Sequence, residues 1–240
     1  PMLNFLSDAL EEAADEWLIK PMFHYRWNYE ADRREASLRI ATASVDHGTD
    51  PSKFAEMIGM HLMTRREPLG CSDTNAPLIE RYLLEGATRL NAHLQTRPFL
   101  FGDQLSAADL GLGSLYYELY SDPTPSTRLR PFSELSAWAQ RCMNPEGLGT
   151  GKSESWDSLS ATLRPVLEHE LSAHYLPWAR ANAAALASGD GTPFTVNLGG
   201  TDFTQPAQKY PAKSWRMLQE KWAGLAPDTQ ASIRGVIGEV

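Results

Sequence analysis

The chain has 240 residues, with 30 acidic and 22 basic side chains, a formal net charge of −8 and 42% apolar residues. That length is enough for one large domain or two small ones around a buried core, and an acidic balance without a Lys/Arg cluster argues against a nucleic-acid partner. Cys71 and Cys142 stand far apart without a neighbouring Cys, so neither a disulfide framework nor a thiolate metal cage is available, and no stretch reaches the ~20 apolar residues of a membrane span.

Pro1 to Leu10 lacks the basic leading segment of a secretory signal and meets Asp8, Glu11 and Glu12 almost at once, so a reducing cytoplasmic setting is expected. Phe5, Leu6, Ala9, Leu10, Ala13, Trp17 and Leu18 recur at three- and four-residue steps, which predicts a helix over 4–20. Pro21 should kink it or restart it as 22–44. The run His47 to Pro51 reads as a turn, and Phe54, Met57, Ile58, His61 and Leu62 mark a further short helix. After a loop at 68–74, Asn75 is the expected cap of an amphipathic helix carrying Ile79, Leu83, Ala87, Leu90 and Leu94.

Another helix is expected from Ser106 to about Tyr120, stopped by the run Asp122 to Ser126, with one more over 131–143 that turns Leu135, Trp138 and Ala139 inward. A Gly-rich break over 144–155 is the best internal boundary, and it separates 1–145 from an extension over 146–240. There, Leu159, Leu163, Val166, Leu167, Leu171, Tyr175 and Trp178 keep a helical stripe through Pro165 and Pro177. The alternation of Phe194, Val196 and Leu198 before Gly199-Gly200 predicts a hairpin near 193–204, followed by helices over 212–223 and 228–237.

Three apparent motifs fail. Gly147 to Ser153 lacks the first glycine of a phosphate loop, because position 146 is Glu, and it follows a helix rather than a strand. His169-Glu170 and His174 have a five-residue spacing, which on an α-helix sets the rings about 140° apart and denies them a shared metal, so no metal is expected. Gly111-Leu-Gly113 has Tyr116 at the third glycine position of a dinucleotide fingerprint, so the glycines read as close-packing positions. The carboxylates Glu11, Glu12, Asp15 and Glu16 read as a solvated face.

The most specific segment is Phe99-Leu-Phe-Gly102-Asp103-Gln-Leu105-Ser106-Ala-Ala-Asp109-Leu110. Ser106 at the N-cap and Asp109 three residues on form a reciprocal capping box, with Leu105 and Leu110 placed for a hydrophobic staple. The aromatic residue, Gly-Asp and Ser-x-x-Asp together resemble the segment that opens the central helix in the all-helical C-terminal domain of the glutathione transferase superfamily. The helix order fits over about 1–145, and the stretch Asp15 to Trp27 with Asp122-Pro-Thr-Pro125 looks like bacterial members with a long C-terminal extension. The expected fold class is therefore all-α: such a helical bundle, a helical extension and one small β-hairpin.

The resemblance implies that the helical domain walls the pocket for a small hydrophobic or aromatic electrophile, chiefly from its first long helix. The implied binding residues are Trp17, Phe23, His24, Arg26 and Trp27, with Tyr117 and Tyr120 from the capped helix, while an aromatic stripe at this spacing equally reads as core. Arg26 or His24 could hold an anionic group. The family's thioredoxin-like domain, which carries the thiol-activating residue and most glutathione contacts, has no counterpart in this sequence. The implied function is thus the substrate-binding part of a glutathione-dependent transferase, by thiol conjugation or thiol-dependent reduction of a small electrophile, inactive without the thioredoxin-like domain, with glutathione not expected to bind this chain alone and with no catalytic residue of its own. The implied partner is a thioredoxin-like domain or a second copy. The alternatives are a non-catalytic binding or scaffolding module and a stand-alone domain that holds a small aromatic ligand.

Overall fold

A computed structural model of the chain describes residues 1–144, 151–189 and 191–240. The fold is mostly α-helical with one two-stranded antiparallel sheet. The first long helix is α1 (Met2–Ala13), a π-helical turn (Ala14–Leu18) and α2 (Ile19–Asn28) in unbroken succession, and α3 (Glu30–Ser44) follows a break at Tyr29. Pro21 therefore neither ends nor restarts the helix. A proline has no N–H for the carbonyl four residues back and crowds it, and the wider π-turn just before Pro21 shifts the pairing, with Ile19 N–H bonded to Ala14 O, so that the chain passes through. The same device recurs in the extension. There α9 (Trp156–Leu167) runs into a second π-turn (Glu168–Tyr175), and α10 (Leu176–Ser188) opens with Pro177 as its second residue.

Between these segments lie α4 (Ser52–Met63), α5 (Ala76–His93), α6 (Ala107–Tyr120), α7 (Pro123–Leu129) and α8 (Ser133–Met143). The segment Asp122 to Ser126 does follow the end of α6 at Tyr120, and it also opens α7, because Pro123 sits at the first helical position, where its missing N–H costs nothing and its φ is already helical. Asn75 precedes α5 without capping it. Its side-chain amide donates to Gly70 O and Thr204 O and accepts from Thr204 N–H, which ties the start of α5 to the hairpin.

The hairpin pairs β1 (Phe194–Leu198) with β2 (Thr201–Gln205) in the register Val196 opposite Phe203, closed by Gly199 and Gly200, both at positive φ. Helices α11 (Lys209–Ala223) and α12 (Pro227–Ile237) end the fold. The core is continuous: α6 lies between α1 and α8, α5 meets α9, and Leu198 and Phe203 of the hairpin join Trp17 and Trp178 in the interior. Gly111 and Gly113 serve as close-packing positions. A Cβ at Gly113 would stand 2.7 Å from the Cys142 Cβ, and one at Gly111 would stand 3.3 Å from the Glu11 Cα. Both cysteines are buried and free, and among the described residues no helix is long and apolar enough to cross a membrane. The expected boundary at 145/146 and most of the glycine segment 147–153 lie outside the described residues.

Candidate functional site

The capped segment forms as a hub. Ser106 Oγ accepts the Asp109 N–H, and the fully buried Asp109 carboxylate accepts from Ser106 N (3.0 Å), Ser106 Oγ (2.6 Å), Leu100 N (2.8 Å) and Trp138 Nε1 (2.8 Å). These bonds fasten the turn at 99–102 to the start of α6 and to α8. No hydrophobic staple accompanies the box, since Leu110 is 46% exposed.

The side chains expected to wall a pocket occupy separate surroundings. Trp17 is fully buried against Tyr82, Trp178 and Phe203. His24 is also fully buried, hydrogen-bonded through Nε2 to Glu80 Oε1 at 3.0 Å, and burial lowers its pKa against the opposing pull of Glu80. The Arg26 fork is already engaged: Nε donates to Asp122 (2.6 Å) and Nη2 to Glu118 (2.5 Å), while Arg39 holds the other Asp122 oxygen at 2.7 Å. Trp27 is buried beside the half-buried Phe23. At the π-turn Trp17 packs on both Tyr82 of α5 and Phe203 of the hairpin, while His24 reaches Glu80 of α5. Tyr117 and Tyr120 do come together, lining a shallow groove of about 400 Å³ with Ser136, Ala139 and Gln140 of α8.

A larger feature lies at the first π-turn. A groove of about 640 Å³ runs between Asp15, Glu16, Ile19 and Lys20 on one side and Leu69, Tyr210 and Pro211 on the other. Glu16 was expected on a solvated face. The π-turn carries it inward, where it is buried and accepts a hydrogen bond from Ser214 Oγ at 3.1 Å. Burial pushes its carboxyl up to about 7. Lys20 is buried too, with Nζ donating to Leu69 O (3.1 Å) and lying 4.4 Å from the Trp178 ring and 5.6 Å from Trp17. Desolvation lowers its ammonium to about 8. The groove thus pairs an apolar wall with a carboxyl that can give or take a proton near neutrality and an amine that loses its charge readily.

The second π-turn overturns the spacing argument for His169 and His174. In a π-turn residue i+5 comes back over residue i, and the two rings stand 4.7 Å apart, with His174 Nδ1 2.7 Å from His169 O. Beside them Glu170 accepts from the Tyr82 hydroxyl, and its other oxygen has no partner. Among the described residues no group of three or more His, Cys, Asp or Glu side chains is arranged to hold a metal ion.

No family model, curated protein or solved structure matches the chain. The site must therefore be read from its own chemistry.

Sequence reasoning missed Glu16, Lys20 and Tyr210. The available signal was Lys20 itself, a charge three residues after Trp17 in an inward stripe, beside a proline that an α-helix does not tolerate.

Proposed function

We propose that the chain is the acceptor-binding helical part of a glutathione-dependent transferase of the glutathione transferase type, working in a reducing cytoplasmic setting. The observation that carries this reading is the Asp109 hub, because the motif behind the resemblance closes in three dimensions with all four of its donors in place. On this reading the electrophile lies in the groove on the first long helix, against Ile19, Leu69 and Tyr210, with Glu16 and Lys20 at its polar end. Glutathione is not assigned to this groove, because on this reading its contacts belong to the thioredoxin-like domain. Thiol activation, which means holding the thiolate against its proton, falls to a thioredoxin-like partner domain.

The test uses the chain alone. Titration with 1,3-dinitrobenzene, an unreactive stand-in for an aromatic electrophile, should quench tryptophan fluorescence saturably, and Tyr210→Ala should weaken that binding several-fold. A glutathione resin should not retain the chain. Retention competed by free glutathione would overturn the division of labour, and the absence of saturable quenching would overturn the groove assignment. Binding of dinitrobenzene with no transfer after fusion to a thioredoxin-like domain would instead favour a non-catalytic binding module.

A further inference from the structure

Helix α4 is unusual for a surface helix. Only Ala55 and Gly59 are buried, while Met57, Met60 and Met63 are exposed, Met60 at 59%. An apolar helix is normally covered, and here one side of α4 and the facing side of α3 enclose a groove of about 640 Å³. Leu38, Met60 and Met63 give it apolar walls. Its floor is Gly59, which lets the helices approach so closely that a Cβ there would stand 2.9 Å from Ser37 Oγ and 3.6 Å from Arg33 Cγ.

Ser37 and Arg33 make this more than a greasy face. The Ser37 hydroxyl is buried, lines the groove and has no hydrogen-bond partner, an uncommon state for a buried donor. Arg33 crosses the floor beside it, half-buried, with one bond to Trp27 O at 3.3 Å and no ion pair among the described residues. Most of its guanidinium N–H donors are therefore free to meet an acceptor. Glu30, Glu56 and Arg34 also line the groove but are exposed to water, which screens them more than the half-buried Arg33.

We infer that the α3/α4 groove binds an aliphatic monocarboxylate, with the carboxylate on Arg33 and Ser37 and the hydrocarbon along Leu38, Met60 and Met63. Arg33 and Ser37 stand one turn apart on the same side of α3 and both line the groove, so a guanidinium and a hydroxyl are available to the two oxygens of a carboxylate. The flexible thioether side chains suit a chain of no fixed shape, and the volume is in the range of small-molecule sites. This site is separate from the groove at the first π-turn and does not depend on the transferase reading.

Calorimetric titration with decanoate, and with decanol as the uncharged control, tests it. Decanoate should bind at one site. Arg33→Gln should weaken decanoate at least tenfold and leave decanol unchanged, and Ser37→Ala should weaken decanoate by about threefold to fivefold. Met60→Glu, at an exposed position that does not threaten the fold, should abolish both. Equal binding of decanoate and decanol, or decanoate binding that Arg33→Gln does not change, would overturn the assignment. So would a concentration-dependent dimer that Met60→Glu dissociates while decanoate fails to bind, since a second copy would then be the occupant.

Discussion

Asp109 at the start of α6 and Glu170 in the second π-turn are both buried carboxylates, and burial pushes the pKa of each upward. They differ in what surrounds them. Asp109 accepts four hydrogen bonds, two of which hold another turn and another helix in place. Glu170 accepts one, from Tyr82, and leaves an oxygen bare against Gly86, where a Cβ would stand 2.9 Å away. Its carboxyl is pushed up to about 7. One carboxylate organises the fold through its donors, whereas the other, with a single donor, has its ionised form disfavoured by burial and its pKa raised.

Removing the satisfied carboxylate should do the most damage. Asp109→Ala leaves the Leu100 amide and the Trp138 indole N–H buried without acceptors, and an urea-unfolding loss of more than about 4 kcal/mol is expected. A loss near 1 kcal/mol would mean that the hub is no more than an ordinary cap.

Glu170→Gln should act the other way and depend on pH. A carboxyl whose folded pKa lies above its unfolded value contributes stability below the unfolded value, and that contribution is lost as pH rises through the folded one. The window here runs from 4.5 to about 7. His169, lowered to about 3 by burial, tilts the curve oppositely between 3 and 6.5, and it does so equally in both proteins. The variant's advantage over the parent should thus grow from pH 5 to 7 and level off above, on the order of 2 kcal/mol by urea unfolding at each pH. A difference that stays constant with pH would place the proton elsewhere.

Two smaller changes sharpen the contrast around the hub. Gly113→Ala forces a methyl against Cys142 and should cost about 2 kcal/mol, read as a lowered melting temperature. Ser106→Ala keeps Asp109 and its bonds to Leu100 and Trp138 but removes the hydroxyl cap, and should cost about 1 kcal/mol. If Ser106→Ala matched Asp109→Ala, the long-range bonds of the carboxylate would carry no weight.

Local rules made much of the fold legible. The capping box at Ser106 and Asp109, the hairpin turn at Gly199-Gly200 and the amphipathic run from Ile79 to Leu90 each depend on neighbours close in sequence, and each is found where the residues place it. The site was less legible for a physical reason. Pro21 announces a disturbance but not its form, and a π-turn in place of a kink changes the phase of the side chains around it, burying Glu16. The same change brings His169 and His174 together, although α-helical spacing sets them apart.

By itself, then, the sequence determined the helical class, the positions of most helices, the hairpin, the capping hub and the absence of a cysteine framework, because these follow from side-chain period, turn chemistry and composition. Only the tertiary structure decided which charges are buried and which surfaces stay open. Lys20 beneath Trp178, Glu170 with one donor, and the uncovered methionines of α4 all depend on what the rest of the chain packs against them, and no local pattern encodes that.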